Sequence, residues 1–228
     1  MKQHEPLSEK ESLNIINEMI QKTKVNYHER GISALLWGTV VTIAGIVSYF
    51  QFEYNFKLKI DIWLLVLAAI IPQIFISIHE KKTIKVRRHI DEAIDAVWIV
   101  YALTIFGLVA YQNLMPGATL NIIHENGWEM IKHFTDGSKP DEIMKPFAPS
   151  ISSLYILIYA FPTMITGIAT KFKPMIIGAC ISYIFFILSL YTESKYDMLF
   201  NAGSAIVNWL IPGIILQRRY LKNIPCNV

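Results

Sequence analysis

Polar stretches that gather the charges alternate along this chain with long runs that carry none. The uncharged runs fall at residues 31–50, 62–78, 96–111 (starting near 93), 151–170, 175–191 and 198–216. The first is 20 residues long, about what a helix needs to cross a ~30 Å hydrocarbon core. A helix satisfies its own backbone polar groups in lipid, whereas an unpaired strand does not. The short alternating segments of a transmembrane barrel are absent. The pattern therefore predicts an all-α integral membrane protein, a bundle of six transmembrane helices over 31–217 with a tail at 218–228.

Ahead of the first run, residues 7–30 read as an amphipathic helix. Ser8 and Glu11 make a capping-box pair, and Leu13, Ile16, Ile20 and Tyr27 recur at helical spacing. Residues 1–30 are expected to form a cytoplasmic helix on the bundle's inner ends. The one long connection, 112–150, is expected to hold a surface helix at 119–134, where Leu120, Ile123, Ile131 and Phe134 share a stripe.

The polar segments set the orientation. Of 21 basic residues, 15 fall on one side: five in 1–30, five in 81–88, Lys171, Lys173, Arg218, Arg219 and Lys222. The positive-inside rule makes that side, with both termini, cytoplasmic. The polar start MKQHEPLSEKESLN is no signal peptide, so the first run is expected to act as its own insertion signal. Composition agrees: apolar residues reach 53%, charged residues only 17%, and mean hydropathy is +0.38. Two cysteines make no disulfide framework; a buried thiol at Cys180 and a tail thiol at Cys226 are expected.

Candidate chemistry is sparse. Gly31, Gly38 and Gly45 recur every seven residues and form a low-relief seam, for packing within the bundle or against a second copy. Asp95 is the deepest ionisable residue, about one turn into the third run, and no charge is expected deep in any other. Asn201, Ser204 and Asn208 lie near helical spacing beside Trp209; Gln73 follows Pro72, and Tyr159 lies in a polar stretch of the fourth run. Asp95, Gln73, Tyr159, Asn201 and Asn208 thus outline a candidate polar cavity or ion site among spans 2, 4 and 6. Glu125, Glu129 and His133, each four apart, would share a helical face in the outer connection, without a recognised metal-ligand pattern. Ser204, in Ala202-Gly203-Ser204-Ala205, has no histidine in any run to activate it. No HExxH, Walker loop or dinucleotide fingerprint occurs. No catalytic, cofactor or metal site is assigned.

ESLNIINEMIQKTKVNYHERGISALLWG (11–38) resembles the start of an uncharacterised family of small six-span bacterial membrane proteins. WLIPGIILQRRYLKN (209–223) is similar to that family's C-terminus. The resemblance implies a bacterial inner-membrane protein and carries no functional residues. The expected function is a non-enzymatic accessory, sensor or scaffold subunit; the alternative is a small-solute transporter or channel-like carrier. Expected partners are the lipid bilayer, anionic lipids at the basic segment 81–89, and another membrane protein or a second copy of the chain. Nothing points to nucleic acid.

Overall fold

A computed structural model describes residues 31–83, 89–147 and 151–223. The amphipathic helix expected in 7–30 and Cys226 lie outside these residues, as does most of the basic segment 81–89.

The described chain is almost wholly helical. Helix α1 is Ile32–Glu53; α2 is Trp63–Ala68 and α3 Ile70–Thr83, in line with a break at Ala69; α4 is His89–Glu125. A two-residue antiparallel pair follows, β1 (Ile131–Lys132) on β2 (Glu142–Ile143). Then come α5 (Ile151–Ala169), α6 (Lys173–Ser189) and α7 (Ser194–Ala205), which runs through a π-helical turn, Ile206–Leu210, into α8 (Ile211–Asn223). Counting α2–α3 and α7–π–α8 as one rod each, the helices form six rods. Among the described residues five segments are long and apolar enough to cross a membrane: Ile32–Glu53, Trp63–Glu80, His89–Glu125, Ile151–Ala169 and Ser194–Lys222. Helix α6 is apolar but has only 17 residues, about 25 Å of helix.

Side-chain pairs give the direction of every rod. Cβ atoms placed on Gly31, Gly38 and Gly45 would lie 2.5 Å from Gly213 O, 2.6 Å from Leu210 N and 2.8 Å from Met198 O. Positions ascending in α1 meet positions descending in the last rod, so these two are antiparallel. Gln73 of α3 bonds Trp37 and Ser33 near the start of α1, so the chain, having left the far end of α1 at Glu53, runs back along it. Trp98 of α4 reaches Thr166 of α5 and Gln112 reaches Tyr155, again antiparallel. Ser152 and Thr163 of α5 meet Asp197 and Trp209, which runs parallel. Gly178 and Phe185 of α6 face Val207 and Gly203, antiparallel once more. The six rods thus alternate in direction.

This alternation brings the start of α1, the end of α3, the start of α4, the α5–α6 turn and the end of α8 to one end of the bundle. Lys82, Lys171, Lys173, Arg218, Arg219 and Lys222 gather there, and the Arg219 guanidinium sits 5.2 Å from the Phe172 ring. The opposite end carries the α1–α2 and α6–α7 connections and the β pair.

The last rod is the hub. It packs on α1, α5 and α6, while α2–α3 leans on α1 and α4 leans on α5. Among the described helices, no Cα of α2–α3 comes within 8 Å of one in α4. Small residues fill the hub: Ala44, Ala160, Ala179, Ala205, Ser153, Ser182 and Ser204 are all at 0% exposure. Lipid tails are as apolar as Leu, so helices in a bilayer gain little by hiding large side chains from them; close van der Waals contact between small residues holds them together. The large apolar side chains accordingly face outward, among them Phe75, Ile99, Leu103, Phe106, Ile177 and Ile184. Cys180 is exposed on the same outer surface, not buried within the protein. Polar side chains inside the helices turn back on their own backbone, as with Thr163 Oγ1 donating to Tyr159 O at 3.0 Å.

The long connection 112–150 departs from the sequence expectation. No separate helix spans 119–134: α4 passes through Pro116 and continues to Glu125. Its 37 residues make a rod of about 55 Å, well beyond a bilayer core. Gly127, at φ 74°, then turns the chain, and Ile123 (2% exposed) is covered beside it. The stripe that suggested a helix is divided between the end of α4, strand β1 and the segment that follows it.

Candidate functional site

The most unusual chemistry lies at the head of the last rod. Asp197, Asn201, Ser204 and Asn208 recur at intervals of four, three and four, which places them on one helical face. That face turns into the hub, and the four are 0–2% exposed. Helix α5 supplies Ser152 and Ser153 opposite, 8% and 0% exposed.

Ser152 Oγ donates to Asp197 Oδ2 at 2.8 Å. Asn201 Nδ2 donates to the carbonyl oxygens of Ser152, at 3.1 Å, and Asp197, at 2.9 Å. Both acceptors are carbonyls, so the amide nitrogen must face them and Oδ1 must face away. Two turns on, Asn208 Nδ2 donates to Ser182 Oγ at 2.7 Å. These bonds leave Asp197 Oδ1, Asn201 Oδ1, Asn208 Oδ1, Ser153 Oγ and Ser204 Oγ buried without a hydrogen-bond partner in the protein. An orphaned buried polar atom costs about 1–3 kcal/mol, so five in one rod interface ask for an explanation.

Depth follows from packing. Met198, next to Asp197, is level with Gly45 of α1. Gly45 lies eight residues (53 − 45) before the end of α1 at Glu53, so Asp197 sits about 12 Å inside that end. The basic residue closest in sequence, Lys195, holds Glu53 at 3.1 Å and Glu193 at 3.6 Å. Among the described residues no basic side chain pairs with Asp197.

The π turn adjoins this centre. In it two consecutive residues, Asn208 and Trp209, both lie inside at 0% and 3% exposure. Trp209 Nε1 donates to Thr163 Oγ1 at 3.1 Å. Its ring packs 4.8 Å from Tyr159 and 6.2 Å from Tyr101. Trp37, Trp98 and Tyr155 extend this aromatic layer. Gly38 of α1 closes on the turn at Leu210, and Gly178 of α6 closes on it at Val207. Single π turns inside α-helices are frequent at functional sites. No family model, no curated protein and no solved structure matches the chain.

The residues expected to share one cavity are distributed over several places. Gln73 is a separate hub near the basic end: it accepts from Trp37 Nε1 at 3.0 Å and donates to Ser33 and Ser77, each at 3.0 Å. Tyr159 belongs to the aromatic layer. Asn208 points at α6, not at the second rod. Asn201 alone of the five joins the Asp197 centre. Asp95 is half-buried on α4, while Asp91 one turn before it is 4% exposed. Gly31, Gly38 and Gly45 all lie against the last rod.

Asp197 escaped the sequence reading because it bounds the sixth uncharged run and passed for a flanking charge. Extending the Asn201–Ser204–Asn208 stripe one turn backwards finds it.

Two other features carry less chemistry. A shallow apolar groove of about 250 Å³ lies between α4 and α5, lined by Val100, Tyr101, Thr104, Leu157, Ile158 and Phe161. In the long connection after the third apolar run the helix ends at Glu125, so Glu125, Glu129 and His133 share no helical face. His133 Nδ1 pairs instead with Asp141 at 2.8 Å. Asp136 accepts from Ser138 N and Oγ, which lowers its carboxyl below the usual value. Among the described residues no three His, Cys, Asp or Glu side chains converge on a metal-sized space.

Proposed function

We propose that the chain is a six-span protein of the bacterial cytoplasmic membrane, with both ends in the cytoplasm, serving as a non-enzymatic sensor or accessory subunit. The alternating rods support counting α6 as a crossing, since an antiparallel first and last rod needs an even number of traverses. The basic residues gathered at one end support a cytoplasmic assignment for that end. The resemblance of 11–38 and 209–223 to a bacterial six-span family points the same way. In this reading residues 1–30 form a cytoplasmic amphipathic helix, the segment 81–89 meets anionic lipid heads, and a second copy or another membrane protein receives the signal.

One observation carries the choice of sensor over carrier: the hub is closed. Gly38 of α1 and Gly178 of α6 close on the π turn from either side, Gly45 closes on Met198, and alanines and serines at 0% exposure pack around the polar face. A carrier must open its site to each side in turn. The orphaned oxygens around Asp197 favour that second reading, a small-solute carrier. Ser204→Cys, in a chain whose two native cysteines are replaced, separates the two. In sealed vesicles of known orientation, protection from a membrane-impermeant thiol reagent on both faces supports the closed hub. Modification from both faces selects the carrier; modification from either face alone overturns the closed hub.

A further inference from the structure

We propose that the Asp197 centre is a binding site for one small monovalent cation, a proton or a sodium ion. A carboxylate cut off from water is expensive unless paired or neutralised, and ionisable groups inside membrane segments are rare and functional. Asp197 is at 0% exposure, with one oxygen held by Ser152 and the other unclaimed.

Nothing in the packed elements supplies the missing positive charge. At this end α1 offers Tyr49 and Glu53, the latter on Lys195. Helix α5 offers Tyr155, whose hydroxyl donates to Gln112. Helix α6 offers only Cys180 and Tyr183 between its first residue and Ser189. On α7 itself, Lys195 pairs with Glu193 just before the helix, and Tyr196 faces Tyr49.

The ligand class follows from the orphaned atoms. Asp197 Oδ1, Asn201 Oδ1, Ser153 Oγ and Ser204 Oγ are all oxygens, the donor type of a hard cation. The bonds from Asn201 Nδ2 to two carbonyls keep its donor side away and hold its oxygen free. A single charge suffices, since the centre contains one carboxylate. A proton on Oδ1 would neutralise Asp197 and donate to one of these oxygens; a sodium ion would draw on several.

The proposal rests on the membrane reading above, and the two can fail separately. A chain that stays dispersed in buffer without detergent ends the membrane reading. A detergent-purified protein indifferent to cations ends only the site. The experiment is thermal unfolding of the full chain in detergent, with sodium chloride replaced by choline chloride at constant ionic strength, from acid to alkaline pH. Infrared spectra of the same samples look for a protonated carboxyl band.

For sodium, the midpoint rises about 5 °C or more at 100 times the dissociation constant. The rise is lost in Asp197→Asn and blunted in Ser204→Ala. For a proton, the midpoint falls with rising pH without regard to sodium, and the carboxyl band disappears in Asp197→Asn. Glu193→Gln, an exposed neighbour, leaves either response intact. Should Asp197→Asn fail to fold, Ser152→Ala removes the donor to Oδ2; it must weaken the sodium response or move the pH response upward. Wild type and Asp197→Asn responding alike to sodium and pH would overturn the proposal, as would an unmoved response in Ser152→Ala.

Discussion

Gly178 is where the hub has least room, and Gly178→Ala measures how much of the protein's stability depends on that approach. A Cβ there would overlap Val207 O and stand 2.8 Å from Val207 C and 3.3 Å from Asn208 N. These are backbone atoms of the π turn and cannot rotate away. Restoring an ordinary contact moves α6 and the last rod apart by roughly 1 Å, a gap that already forfeits a large part of each van der Waals well. Overpacking of this kind costs about 1–3 kcal/mol. The same displacement stretches the Asn208–Ser182 bond, one turn along α6 and 2.7 Å long, adding about 1 kcal/mol. The expected loss of about 2–4 kcal/mol lowers the unfolding midpoint by ~4–16 °C for a chain of this size. Circular dichroism and size-exclusion after heating in detergent both read it. Gly107→Ala is the matched control: nothing lies within 4 Å of a Cβ there, and replacing glycine in a helix stabilises by up to ~1 kcal/mol. If the two variants melt together, the close approach of α6 to the π turn is not what holds the hub.

Gln73→Leu should act locally. It removes the two 3.0 Å hydrogen bonds that tie the second rod to α1, with Trp37 and Ser33, besides one to Ser77 within α3; at about 0.6 kcal/mol for each bond between helices in a membrane, the tie loses about 1 kcal/mol. Hydrogen exchange should accelerate across residues 63–83 while the core midpoint stays put, and a uniform acceleration would contradict the separate hub. Trp209→Phe keeps the aromatic layer but deletes the donor to Thr163, whose own hydroxyl still reaches Tyr159 O. A loss of about 1–2 kcal/mol is expected, read as a midpoint ~2–8 °C lower; a midpoint equal to that of the wild type would show that the indole N–H is not held.

How the rods are laid in was largely legible along the chain. Each uncharged run became a helix because charge avoidance over about 20 residues is a requirement that lipid imposes locally, residue by residue. The boundaries differ where no such requirement acts. Helix α4 runs on to Glu125 because, once past the apolar run, Asn113 and Thr119 are as tolerable in a water-exposed helix as in a loop. Pro116 did not end it, and Gly127 did. The 7–30 helix falls outside the described residues and stays an expectation.

Read alone, the chain therefore told that its uncharged runs are helical and apolar enough to suit a membrane, since hydropathy and helix length are properties of a segment alone. Only the tertiary structure decided which polar residues meet. Asp197 reads as a flanking charge until α1 is seen to extend beyond it and α5 to set Ser152 against it. Gly31, Gly38 and Gly45 read as a seam without a partner until the last rod fills them. Gln73 and Asn208, both polar and both in apolar runs, end up on different neighbours. Contact between helices depends on rotation and register summed over the whole bundle, and no single segment carries that information.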